Sequence, residues 1–202
     1  MMIHKPDEST DGIDYLLQLA RYMGATDAAA ISTDCISVLD RLADLCLKPR
    51  CPGYGMSASC PPHVSGPDGF RELVKEFHNA LVFKIEVPSN ILLSGERHDM
   101  FRLLHEIASA VEQSAVLAGH TRARAFAGGS CKELFCPDKA ECRVTAGGSC
   151  RNPDRARPSM SGFGIDVSKL MEGAGWPMNR AGPGGREDNP STGTLSGLVL
   201  IG

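Results

Sequence analysis

Seven of the eight cysteines in this 202-residue chain fall into two short segments. Cys46, Cys51 and Cys60 lie in CLKPRCPGYGMSASCPP, and Cys131, Cys136, Cys142 and Cys150 lie in CKELFCPDKAECRVTAGGSC. Both stretches are dense in glycine and proline, where neither a helix nor a strand runs far. Thiolates gathered on irregular backbone are what a metal site uses. The loop wraps the metal, and its free N–H groups can point at sulfur.

Spacing narrows the chemistry. The second segment leaves four, five and seven residues between successive cysteines. Zinc loops usually present a C-x-x-C pair, whose short turn suits two sulfurs on one tetrahedral ion. Neither segment contains one. Wider spacings suit an iron–sulfur cluster, one or two of the 4Fe–4S type, because its corner irons stand further apart. Zinc stays as the alternative metal. Gly128, Gly129, Gly147 and Gly148 precede Cys131 and Cys150 and let backbone approach inorganic sulfide.

Four cysteines complete a cluster. Three, as in the first segment, leave one iron for another ligand, solvent or substrate. Cys35 and His63 are candidate fourth ligands, but a buried apolar cysteine and a solvated loop histidine are the better readings. Arg157 and Ser159, in RPSM, are candidate cofactor-binding residues: Ser159 to bond a cluster sulfur, Arg157 to hold an anionic substrate. A rigid surface turn with a solvated arginine weighs equally. Tyr54 could shield a cluster from water or simply pack. His78 and His105 read as structural or solvated, and Asp166 as a helix cap.

CLKPRCPGYGMSASCPP, FAGGSCKELFC and CRNPDRARPSMSGFGIDV together resemble a family of small, cysteine-rich microbial proteins of unknown function, predicted to bind metal and typical of anaerobic archaea and bacteria. The resemblance covers roughly residues 12–176. It implies metal binding through Cys46, Cys51, Cys60, Cys131, Cys136, Cys142 and Cys150, and it implies no reaction. Cys35 falls outside the motif. Gly53 stands where that family often has Asn, so the position is given no polar role.

The elements that must hold these segments read unevenly. Helical spacing of Ile13, Leu16, Leu17 and Ala20 predicts a helix over 13–24, stopped by Gly24. DAAAIS suits a buried strand, whereas ISVLDRLADL fits strand or helix. A helix opens at Ser65 to Asp68 and continues through FRELVKEFHNA. ALVFKIEVP is the clearest strand, and residues 97–118 form a long helix with Leu103, Leu104, Ile107, Val111 and Val116 on its buried stripe. TRARAFAGG, 121–129, reads as a strand running into the second cysteine segment, and DVSKLMEGAG as a short helix.

Strand, helix and strand in that order predict a crossover between parallel strands. The expected fold is α/β: a small sheet with this parallel strand–helix–strand crossover and two cysteine-rich metal-binding loops, 46–62 and 128–151, at one edge. Residues 1–179 make a single domain, and 180–202 a flexible linker and a C-terminal strand, LSGLVLI.

Composition bounds the rest. A hydrophobic content of 42% supports an ordinary core without staples. The net charge of −3, without runs of one sign, argues against a nucleic-acid groove or a membrane surface. The N-terminus shows no apolar signal-peptide core, and no apolar run approaches the roughly 20 residues that span a bilayer. A cytoplasmic location follows as the expectation, and there clustered cysteines read as metal or redox groups. No nucleotide-loop or zincin motif occurs.

Three functions remain. One is an iron–sulfur protein of electron transfer or redox support in anaerobic metabolism, working with a redox partner protein or a small-molecule substrate. Another is a zinc-stabilised binding module read by a partner around Arg151, Arg155 and Arg157. The third is an enzyme that binds substrate at the open iron of a three-cysteine cluster.

Overall fold

The computed structural model of the protein describes residues 8–176 and 192–202. Helix α1 (Glu8–Tyr22) leads into strand β1 (Asp27–Ser32). Short α2 (Asp40–Asp44) and α3 (Gly66–Val74) precede β2 (Asn79–Pro88) and the single turn α4 (Ser89–Leu92). Then come α5 (Arg97–Leu117), β3 (Arg124–Phe126), α6 (Cys131–Phe135), α7 (Val167–Gly173) and β4 (Thr192–Ile201). The linker expected over 180–195 falls mostly outside the described residues, up to 191, and the closing strand starts at Thr192.

The four strands form one sheet in the order β1-β2-β4-β3, with every neighbouring pair antiparallel. This corrects the expected parallel crossover. β2 and β3 share a direction, since each is antiparallel to β4, but β4 lies between them. The reason is in β4 itself. Leu198, Val199, Leu200 and Ile201 are all buried, and a run apolar on both faces belongs in the middle of a covered sheet. β1, antiparallel to β2, likewise ends at the opposite end of the sheet from β3. The two cysteine segments therefore do not both follow carboxyl ends of parallel strands at one edge.

Alternation along the strands divides two cores. Leu81, Phe83 and Ile85 of β2 and Val199 of β4 face α1 and α5, meeting Leu16, Ala20, Leu104, Ile107 and Val111. Val82, Leu198, Leu200 and Phe126 face the other way, under Phe70 of α3, Leu170 of α7 and the 3-10 turn Met160–Phe163. There the rings of Phe70, Phe126 and Phe163 pack with centroids 5.1–5.6 Å apart. Burying each such ring is worth about 1.5–3 kcal/mol.

The long helix α5 matches its expected span, although Ala115 rather than Val116 completes the buried stripe. α3 stops at Val74, earlier than the pattern predicts. Glu76 and Phe77 close a tight turn on Leu73 and Val74, and Thr33 then takes the Phe77 and His78 carbonyls. The ambiguous ISVLDRLADL splits: Val38 makes a bridge with Ile165, and α2 begins at Asp40.

Candidate metal centre

The segment RPSM brings the two cysteine loops together. It runs beside the continuation of β3: the Ala127 N–H donates to the Pro158 carbonyl, and the Met160 N–H to the Ala127 carbonyl, both at 2.9 Å. From there the Ser159 N–H reaches out to the Ser59 carbonyl at 3.0 Å. Ser59 in turn accepts from the Cys131 thiol, Sγ to Oγ 3.1 Å. On the far side of the loop, a Cβ on Gly53 would come within 2.9 Å of the Ser130 Cβ. Glycine there lets the two backbones touch. Residues 57–60 thus lie between two cavities that the cysteines share out.

Cys131, Cys136, Cys142 and Cys150 all line one tight cavity of about 20 Å³. N–H groups point at its sulfurs: the Asn152 backbone at Cys150 and the Asn152 side chain at Cys136, both at 3.3 Å. Burial pushes the Cys142 thiol up. The backbone N–H groups of Ala58, Thr145 and Val144 and the Arg151 charge outweigh it, leaving the thiol below its ordinary value. Lys132, Arg143 and Arg151 are on the wall, and no carboxylate is among its lining residues. Buried Lys132 donates to the Cys136 carbonyl at 2.7 Å, so its charge stays at the site. Thiolates are at home among these cations.

Cys46, Cys51 and Cys60 line a second cavity of about 300 Å³. Cys60 is buried and Cys51 exposed at the rim. Burial, and then the neighbouring thiols, push Cys46 up; burial also raises Cys60 and Cys131. Tyr54 stands on this wall with the Arg50 guanidinium 5.6 Å from its ring centroid. Each cavity also holds a buried hydroxyl with no hydrogen-bond partner among the described residues: Ser57 in the tight one, Ser130 in the roomier one. Both come near the Cys60 thiol without reaching hydrogen-bonding geometry.

The two residues proposed for a cofactor part company. Ser159 lines the larger cavity. Arg157 lines neither: its side chain is 9% exposed, paired with Glu112 at 2.6 Å, and donates to the Pro153 and Ala156 carbonyls. Glu112 also accepts from the Ala125 N–H at 2.7 Å. Beside them His105, fully buried, accepts the Arg157 N–H at Nδ1 and bonds the Gly128 carbonyl through Nε2, both at 3.0 Å. These α5 side chains clamp both stems of the second cysteine loop.

His63 and His78 are exposed, and His63 lines neither cavity. Cys35 is exposed rather than buried as read from sequence; its sulfur lies by Gly173 of α7. Asp166 caps α7, accepting from Ser168 and Lys169. Sequence reasoning missed Ser57, Ser130, Lys132 and Asn152, each within three residues of a cysteine, where that adjacency was the available signal. It also missed Arg97 and Glu133 on the wall of the larger cavity. Arg97 comes from α5, far along the chain, and nothing local marks it.

Among the described residues, no three His, Cys, Asp or Glu side chains are grouped to hold one metal ion. A family model described as predicted metal-binding protein (DUF2284) matches residues 29–201. The chain belongs to this family. No curated protein and no solved structure matches it. For this member of the metal-binding family, the match takes in β1 through β4 and both cysteine loops. No helix among the described residues is long and apolar enough to cross a membrane.

Proposed function

We propose that the chain is an iron–sulfur protein of redox metabolism, with a closed four-cysteine site and an open three-cysteine site side by side. One observation carries the reading: seven cysteines divide between two cavities, four around a tight one and three around a roomier one. The number and spread of the thiols suit clusters of the 4Fe–4S kind, around which the four-cysteine cavity of about 20 Å³ would have to open. Thiols ring each cavity without meeting around one point, which suits a guest with several metal corners better than a lone tetrahedral zinc. N–H groups already aim at sulfur, and cations line the four-cysteine site.

Cys131, Cys136, Cys142 and Cys150 would hold one cluster, and Cys46, Cys51 and Cys60 the other. Bound there, a cluster supplies one-electron chemistry whose potential depends on burial and on hydrogen bonds to sulfur. The chain's own part is to present thiolates, to offset their charge through Lys132, Arg143 and Arg151, and to offer the Ser57 hydroxyl as a donor. Its role is electron transfer or redox support in anaerobic metabolism, with a redox partner protein, in a reducing cytoplasm where thiolates persist. The size of the three-cysteine cavity favours a second reading of that site, as the place where an enzyme binds a small substrate at an open iron.

Strictly anaerobic purification with metal and sulfide analysis tests the proposal. Iron with acid-labile sulfide, a brown colour absorbing broadly near roughly 400 nm and bleaching by dithionite are expected. Stoichiometric zinc without sulfide would overturn it and leave a zinc-stabilised binding module.

A further inference from the structure

We infer that the three-cysteine cavity binds a small singly charged carboxylate, anchored by Arg97 and hydrogen-bonded by Ser130. The inference rests on the reading of that cavity as an open site, and it names what the site takes. At about 300 Å³ the cavity stands at the lower end of the range of small-molecule sites. Its wall combines an apolar part, Pro52, Pro61 and Tyr54, with a few polar groups that converge on the same space.

Arg97, the first residue of α5, is the wall's cation. Its guanidinium, on an exposed residue, makes no ion pair or hydrogen bond among the described residues. Asp99 pairs with Arg102, and Glu133, the acid on the wall, faces His98 at 4.0 Å. A planar guanidinium with free donors matches a carboxylate in two parallel hydrogen bonds. The second pointer is Ser130. Its residue is 7% exposed and its hydroxyl has no hydrogen-bond partner among the described residues. A buried hydroxyl left without a partner costs about 1–3 kcal/mol, which a bound acceptor would recover.

The charge count chooses between anions. One arginine with a carboxylate close by suits a single negative charge; a phosphate dianion would meet the same single cation and more repulsion from Glu133.

The test separates the inference from the reading beneath it. Anaerobically isolated protein is first assayed for iron and sulfide, then dialysed to equilibrium against labelled glycolate, acetate or inorganic phosphate. Glycolate and acetate should bind, and more tightly than phosphate. Arg97→Gln should weaken glycolate binding by about tenfold or more, and Arg97→Lys should recover part of it. Ser130→Ala should weaken it severalfold, and none of the Arg97 variants should change iron or sulfide content. Carboxylate binding that ignores Arg97, absence of carboxylate binding in protein with full iron, or preference for phosphate would each overturn the inference. Binding that tracks Arg97 in protein lacking sulfide would uphold the anion site and sink the cluster reading instead.

Discussion

His105 uses both ring nitrogens inside the protein, one accepting from Arg157 and one directed at Gly128, so the neutral ring is the form that fits. Burial, with the nearby Arg157 charge, lowers its pKa from 6.5 to about 4, against the opposing pull of the Gly128 carbonyl. A histidine with a lowered folded value contributes its full stability above about pH 6.5, and loses it as pH falls towards 4. The whole effect is roughly 3 kcal/mol. Urea midpoints for the wild type should therefore drop more steeply between pH 6.5 and 4 than those of His105→Gln, in which no ring titrates. Parallel slopes would show that the ring is not held neutral.

The cysteines divide at the same scale. Cys142→Ala should remove the metal of the tight cavity and Cys60→Ala that of the open one, each leaving the other's share, while Cys35→Ala keeps full metal content. Metal analysis of the three variants checks it, and loss of metal from Cys35→Ala as complete as from Cys60→Ala would refute the assignment. That these seven residues gather around two cavities was legible because cysteine is rare and its spacing is local. Arg97 was not, because an arginine on a helix surface carries no mark of the cavity it reaches.

At the scale of elements, the RPSM-to-GID stretch shows how a motif can be recognised and its part misjudged. Its residues look like site chemistry, yet most of them brace. Arg157 is locked to Glu112, Phe163 fills the ring cluster under the sheet, and Ile165 bridges to Val38. Ser159 and Ser161 line the larger cavity. Sequence alone cannot separate an arginine that holds a substrate from one that pairs with a glutamate, because the glutamate comes from another element. Arg157→Met should then cost about 3–5 kcal/mol by leaving Glu112 buried and unpaired. It should leave glycolate binding unchanged in the fraction that folds. A variant of normal stability with lost anion binding would restore Arg157 to the site. Phe163→Ala should be similarly costly, about 3–5 kcal/mol, measured as a lower urea midpoint, with both cavities disturbed because Ser159 is anchored next to it.

At the scale of the whole molecule, the strands were legible one by one and their order was not. Alternation and apolar runs mark β2 and the end of β4 from local sequence. Nothing local says that the last strand inserts between β2 and β3, since that pairing joins residues more than seventy positions apart. Its consequence reaches the site, because β3 continues into the bridge with Ser159 that holds one cysteine loop against the other. The architecture so made is asymmetric, and the asymmetry is testable. The tight cavity has four thiols and N–H groups filling its wall, and the larger one has three thiols and an exposed rim at Cys51. His63 is exposed and off that wall, and no histidine among the described residues lines it. Imidazole, cyanide or a small thiolate should accordingly change the spectrum of a cluster held, as proposed, by Cys46, Cys51 and Cys60, and leave that of a four-cysteine cluster untouched. Cys60→Ala, retaining only the tight site, should show no response to any of the three. His63→Ala should respond as the wild type does. A response that appears only in His63→Ala would make His63 the missing ligand and close the site, leaving it electron transfer alone.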